Sequence, residues 1–205
     1  MGQRYDDAWI AAMLSAERAA LAPPEALLTG AGAGPGSTVV DVGCGPGFFT
    51  LPAAHLIGPT GRVYAVDTEA RMLSYVADEA TRRNLTTITP VLAQDTDVPL
   101  PDACADLVVC ALLLHDLPIA ERRRMTEELR RLCRPGGAVL VVEWLPRPAE
   151  ARWNRLAPAQ TMELLVKAGL PVWDQAYLGE LSGADGEHDG MYRLMARRPL
   201  AAEDA

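Results

Sequence analysis

From Thr38 onward the chain alternates between short strand-like runs and stretches of helical periodicity, and this alternation confines it to one broad architecture. The strand-like runs are Thr38–Asp41, Arg62–Asp67, Ile88–Leu92, Ala105–Ala111, Val139–Glu143, Val172–Leu178 and Met191–Arg197. Helical spacing fills most of the gaps, at Phe48–Ile57, Ala70–Arg83, Ile119–Cys133 and Pro158–Ala168. Strands separated by helices build βαβ units, and these stack into a mostly parallel sheet with helices on both faces. The runs VVCALLL (Val108–Leu114) and AVLVV (Ala138–Val142) are apolar throughout, as strands covered on both sides are. Between the last two strands lies only the Gly- and acid-rich stretch LSGADGEHDG (Leu181–Gly190). Two strands joined by a loop pair antiparallel, so the last should run against the others. The expected fold is α/β, a Rossmann-like, seven-stranded, mostly parallel sheet.

Ahead of this core, Ala8–Ala20 carries Trp9, Met13 and Ala16 at helical spacing on one face, and a short helix should follow Pro23-Pro24. The loop GAGAGPG (Gly30–Gly36) joins the two parts. A chain of 205 residues suits a single core. One domain over residues 1–205 is expected, with a helical cap at 1–36 and the core at 37–205. Tyr5, Trp9 and Met13 are placed to lid a site or to pack on the sheet.

Net charge is −8, which opposes encounter with nucleic acid. The one basic cluster, Arg122 to Arg124 with Arg130, Arg131 and Arg134, is interleaved with Glu121, Glu127 and Glu128 and reads as a solvated helix face. The start MGQRYDDAWI has no apolar signal core, and the run Leu107–Leu114 is too short to cross a bilayer. Cys44, Cys104, Cys110 and Cys133 show neither CxxC pairing nor metal spacing, so no metal is expected. A cytoplasmic protein is expected, monomeric or homodimeric, acting on a small molecule, without nucleic acid or stable membrane anchoring.

The chemistry concentrates in VVDVGCGPGFF (Val39–Phe49), where Gly43, Gly45 and Gly47 alternate after an apolar strand. In a doubly wound sheet a ligand sits beyond the carboxyl ends of the strands, which is where this loop falls. A P-loop needs a Lys that is absent here. A dinucleotide fingerprint needs a third glycine at the position of Phe48, so a pyrophosphate site is disfavoured. A ligand-free turn has no use for so many permissive residues. The remaining reading is a ligand with a ribose and a base but no phosphates. Asp41 can hold the loop or a ligand ammonium. Asp67, at a strand end, can accept both ribose hydroxyls, and Asp95, with Gln94 and Thr96, can accept from an exocyclic amine.

At these residues the chain resembles the class I S-adenosylmethionine-dependent methyltransferases, from about Pro23 to the end. VVDVGCGPG is similar to the family's first motif, and VYAVDTEARML to its ribose-binding strand end. LAQDTDVPLPDACADLVVC resembles the adenine-side segment, and LRRLCRPGGAVLVVEW the stretch leading into the fifth strand. Within the family it is most similar to the ubiquinone/menaquinone C-methyltransferase-like (methyltransferase type 11) group. The resemblance implies strand order 3-2-1-4-5-7-6 with strand 7 antiparallel, and S-adenosylmethionine as cofactor. It implies a cofactor site of Asp41, Gly43, Cys44, Gly45, Gly47, Asp67, Thr68, Asp95, Thr96 and Ala111.

In-line methyl transfer depends mainly on positioning, which is worth roughly 7–11 kcal/mol. A general base is needed only for a nucleophile that arrives protonated. The candidate is His115, just past the fourth strand, as a base or as an orienting group. His55 and His188 read as surface histidines, and Glu143-Trp144 either lines a substrate pocket or packs. Methylation of adenine or glutamine amides would bring an Asn/Asp-Pro-Pro-aromatic segment where this chain has Cys110–Leu113, so that class is not expected. Arsenite methylation would draw on several thiols near the methyl, whereas Cys44 and Cys110 read as buried apolar cysteines. The expected function is methyl transfer to a small, apolar or aromatic acceptor. The alternatives are a non-catalytic cofactor-binding module or partner subunit, and a nicotinamide-dependent oxidoreductase.

Overall fold

A computed structural model describes residues 6–147, 155–182 and 188–200. Tyr5, the stretch 148–154 and residues 183–187 of the last loop lie outside the described residues. The strands are β1 (Thr38–Val42), β2 (Arg62–Asp67), β3 (Ile88–Leu92), β4 (Ala105–Ala111), β5 (Cys133–Trp144), β6 (Val172–Ser182) and β7 (His188–Arg197). They form one sheet in the order β3-β2-β1-β4-β5-β7-β6. The pairs β1–β2, β1–β4, β2–β3 and β4–β5 are parallel, whereas β7 runs antiparallel to both β5 and β6. This is the topology anticipated from the sequence, last strand included.

The order follows from burial. Val39, Val40, Val108, Val109, Cys110, Val139 and Leu140 are wholly buried, as positions between two helical layers require. One layer is α2 (Ala16–Leu21), α3 (Pro24–Gly30), α4 (Thr50–Ile57) and α5 (Ala70–Arg82); the other is α6 (Ile119–Leu132) and α7 (Pro158–Lys167). β3 is left at an edge and carries Pro90, which has no N–H to offer a further strand.

Beyond shifts of one or two residues at element ends, three differences from the sequence reading have a physical cause. Ala8–Ala20 divides into α1 (Asp7–Met13) and α2, because two caps compete for the chain. The Asp6 carboxylate accepts from Trp9 N–H, and Ser15 Oγ accepts from Arg18 N–H. β5 starts at Cys133 rather than Val139, since Cys133 pairs with Ala105 and a bulge through Pro135-Gly136-Gly137 then brings Ala138 beside Leu107. The final hairpin is longer than expected, with Leu181 opposite Asp189 and Ser182 opposite His188. Backbone pairing carries it past the point where the side chains stop resembling a strand.

A Cβ on Gly137 would meet the carbonyl oxygens of Arg134 and Asp106 at 2.9 Å, so only glycine fits the bulge. Gly34 has nothing within 4 Å and no unusual φ. Gly137→Ala should therefore cost about 1–3 kcal/mol in urea unfolding, and Gly34→Ala should stay within about 0.5 kcal/mol of wild type.

Candidate functional site

Strand order reverses at β1, between β2 and β4, and a cleft of about 290 Å³ opens at the carboxyl ends there. That is near the lower end of the ~300–1,000 Å³ of small-molecule sites. β1 and β2 place its floor. Gly43 N–H and Cys44 N–H both donate to Val66 O, at 2.8 and 2.9 Å, which bends the chain sharply off the end of β1. Gly45 N–H then donates to Asp67 Oδ2 at 2.8 Å, while Asp67 Oδ1 accepts from Glu69 N–H. Asp67 thus holds the glycine loop, and each oxygen keeps a lone pair for a ligand. Burial raises its pKa, against the pull of these N–H groups.

Gly43 and Gly45 have φ of +71° and +50°, which favours glycine. Around Gly45 the nearest atom to an added Cβ is the Trp9 ring at 4.0 Å, so the loop backbone faces open space under α1. Trp9 and Met13 line the cleft, as the lid reading expects. Two other lining residues hold positive φ without being glycine, Asp95 (+51°) and Leu112 (+55°). Asp95 takes it at the tip of a tight turn closed by mutual Gln94–Asp97 backbone hydrogen bonds, and Leu112 as its N–H turns back to Val142 O. Strained backbone of this kind concentrates at ligand sites.

Of the residues expected to hold a cofactor, Asp41, Gly43, Cys44, Gly45, Asp67, Thr68, Asp95 and Ala111 line the cleft. Gly47 and Thr96 do not. Gly47 packs against Val76 and Leu51 and opens the turn into α4, while Thr96 follows Asp95 around its turn. His115 is not among the lining residues either. Its Nδ1 lies 2.7 Å from Glu143 Oε2, and Glu143 Oε1 accepts from Leu114 N–H at 2.7 Å. Glu143 is wholly buried, so this carboxylate clips the loop after β4 to the end of β5. Burial lowers the His115 pKa, but the Glu143 bond and charge outweigh it and the net shift is upward.

Arg122, which the sequence places on a solvated face, is instead buried and donates through Nε to Leu117 O behind the same loop. Other members of that cluster pair at the surface, Arg123 with Glu127, Arg131 with Glu128 and Asp102, and Arg134 with Asp106. His55 is exposed at the end of α4.

The charges at the floor are not neutral bystanders. Asp41 is 2% exposed, accepts from Thr50 Oγ1 at 2.6 Å, and has its pKa raised by burial to about 6. Arg18, which sequence reasoning missed, lines the cleft at 7% exposure. Its guanidinium lies 4.1 Å from the Phe48 ring centroid, and burial lowers its pKa to about 10 against the pull of Asp41. Only its place just ahead of the apolar run Ala19-Ala20-Leu21 could have marked it. The Cys44 and Cys110 thiols are pushed well up by burial, so neither is poised as a thiolate. Among the described residues no cluster of three or more His, Cys, Asp or Glu could hold a metal, and no helix is long and apolar enough to cross a membrane.

The cleft fits a zwitterionic nucleoside: open backbone at Gly45, carboxylates at Asp67 and Asp95, and one buried charge of each sign. Fold and site define a Rossmann-like nucleoside-cofactor protein. Residues 39–137 match the methyltransferase domain family. A 34% identity over 122 residues links the chain to nocamycin O-methyltransferase of Saccharothrix syringae, covering 58% of this chain and 42% of that one. It is 34% identical over 115 residues to the ubiquinone/menaquinone biosynthesis C-methyltransferase UbiE of Cupriavidus taiwanensis, covering 56% and 46%. The chain thus spans less than half the length of these relatives. A S-adenosylmethionine-dependent methyltransferase from Aquifex aeolicus has the same fold, with TM-score 0.79, 24% identity, and 95% and 100% of the two chains covered. Residues 39–137 thus carry a methyltransferase domain on the fold of S-adenosylmethionine-dependent methyltransferases, and the chain is similar there to UbiE-type enzymes.

Asp41 gives a pH prediction with a definite sign. Its folded pKa of about 6 lies above the ordinary value near 3.9, so ionising it costs folding stability. That cost is absent below about pH 4, grows up to about pH 6, and is constant beyond. In the ligand-free protein Asp41→Asn should be more stable than wild type by up to about 3 kcal/mol at pH 8, with the gap shrinking toward pH 4.5 in urea titrations.

Proposed function

We propose that this protein transfers a methyl group from S-adenosylmethionine to a small, apolar or aromatic acceptor. The observation that carries the reading is the cleft itself, with the glycine-loop backbone, Asp67, Asp95 and Ala111 converging under Trp9 and Met13. When bound, S-adenosylmethionine supplies a sulfonium methyl open to in-line displacement, with the sulfur keeping the electron pair as S-adenosylhomocysteine. Asp67 accepts from the ribose hydroxyls and Asp95 from the exocyclic amine. The loop of Gly43, Cys44 and Gly45, with Asp41, receives the amino-acid end; Gly47 sets the turn that presents it. Thr68 and Thr96 flank the two carboxylates.

Trp9, Met13, Leu113, Leu117 and Met125 line the cleft with apolar surface. Asp116 and Glu121 line the cleft beside them, and holding acceptor and methyl in line against this wall is what supplies most of the rate. His115 acts as an orienting residue. Its Nδ1 is held by Glu143 while Nε2 lies 3.7 Å from Oδ1 of Asp116, a cleft-lining residue, so the ring supports the loop that carries Leu112 and Leu113. Calorimetry should find S-adenosylhomocysteine bound and NAD not bound. A release assay against a metabolite panel should find turnover, and binding without any turnover across the panel would favour the non-catalytic module.

His115→Asn should lower kcat less than about tenfold with no change in the shape of the pH profile. A loss of 100-fold or more with a new slope near neutral pH would assign it the base role instead. The raised His115 pKa also means that its stabilising pairing is full below about pH 6.5 and fades as pH rises through the shifted value. The unfolding-midpoint gap between wild type and His115→Gln should therefore narrow from pH 6 to pH 9.

A further inference from the structure

We propose that Arg18 receives the α-carboxylate of the cofactor's amino-acid end, an inference that rests on the cofactor reading above. Arg18 is the third residue of α2, whose neighbours Ala19, Ala20 and Leu21 are apolar, and its side chain is carried down into the cleft wall. Phe48, the first residue after the glycine loop, supplies a ring face for the guanidinium at 4.1 Å. Nη1 donates to Met13 O at 3.0 Å and approaches Met13 Sδ, which ties α2 to the end of α1. Nε is buried and has no hydrogen-bond partner among the described residues.

The charge balance is what demands a ligand. At a pKa of about 10 Arg18 stays cationic at neutral pH, yet it is nine-tenths buried and its hydrogen-bond partner is a neutral carbonyl. Burying a cation that is incompletely hydrogen-bonded is costly. The nearby carboxylate, Asp41, is charged at neutral pH, but its hydrogen bonding goes to Thr50 and leaves the Arg18 Nε–H unmet. Helix tethering alone needs a single N–H and does not account for a charged fork on an aromatic face. A carboxylate fits it in charge and in geometry, because a guanidinium pairs with both oxygens at once. The cofactor has no phosphate, and its one anionic group is the α-carboxylate. Arg18 and Asp41 then present opposite charges to the two ends of one α-amino acid, and ligand binding draws the α1–α2 cap onto the loop.

The test compares S-adenosylhomocysteine with its decarboxylated analogue, S-adenosyl-3-thiopropylamine, by calorimetry on wild type, Arg18→Met and Arg18→Lys. Loss of a charge-assisted pair should weaken S-adenosylhomocysteine binding by about 10–100-fold in Arg18→Met. Affinity for the analogue should stay within about threefold, so that wild-type discrimination between the two collapses. Arg18→Lys should retain part of the discrimination, and it carries the test if the methionine variant does not fold. Equal losses for both ligands, or unchanged S-adenosylhomocysteine affinity, would overturn the assignment. Wild type binding neither nucleoside would instead overturn the cofactor reading, and this inference with it.

Discussion

The hydrogen bond from Gly45 N–H to Asp67 Oδ2 is the contact on which the site depends. It joins the loop after β1 to the end of β2, two strands held in parallel register with Val42 beside Val66. Val66 O already accepts the two preceding N–H groups of the loop, so β2 dictates the path of the chain leaving β1 over three consecutive residues. On the proposed cofactor reading, the side chain assigned to the ribose end is also the anchor of the backbone assigned to the amino-acid end. A change at Asp67 would disturb both, and its effects on binding could not be divided between them by single substitution.

Two buried carboxylates flank β4, and their surroundings assign them different work. Glu143 is engaged on one oxygen by Leu114 N–H and on the other by His115, the pattern of a clip. Asp41 is held by Thr50 and has an incompletely bonded arginine nearby. A buried polar group left short of partners is expensive, and such a group persists where a ligand completes it. The same contrast separates the arginines, since Arg122 braces a loop through backbone carbonyls while Arg18 sits in the cleft wall.

Much of the fold was legible because local signals and burial agree. Arg62–Asp67, Ile88–Leu92 and Ala105–Ala111 have the boundaries read from the sequence, each an apolar or β-branched run closed by Gly, Pro, Asp or a polar turn. Where backbone pairing or capping overrides composition, the reading failed. Ser15 splits one amphipathic pattern into two helices, and the Gly136-Gly137 bulge lets β5 begin before its apolar run. In the site, Asp41, Asp67 and Asp95 were legible because each ends a strand or follows one closely. Gly47 and Thr96 share the motif's spacing but are not among the residues that line the cleft, a distinction that periodicity in the sequence does not carry.

The sequence alone determined the order and type of the core elements, the antiparallel last strand and the family motif at the carboxyl end of β1, because each follows from local periodicity and from spacing along the chain. The tertiary structure decided which charged groups share the cleft. Arg18 reaches Phe48 across thirty positions of chain, and His115 finds Glu143 across twenty-eight. Such meetings depend on how helices pack over a twisted sheet. They set pKa values and free hydrogen-bonding capacity through burial, which residue spacing does not encode.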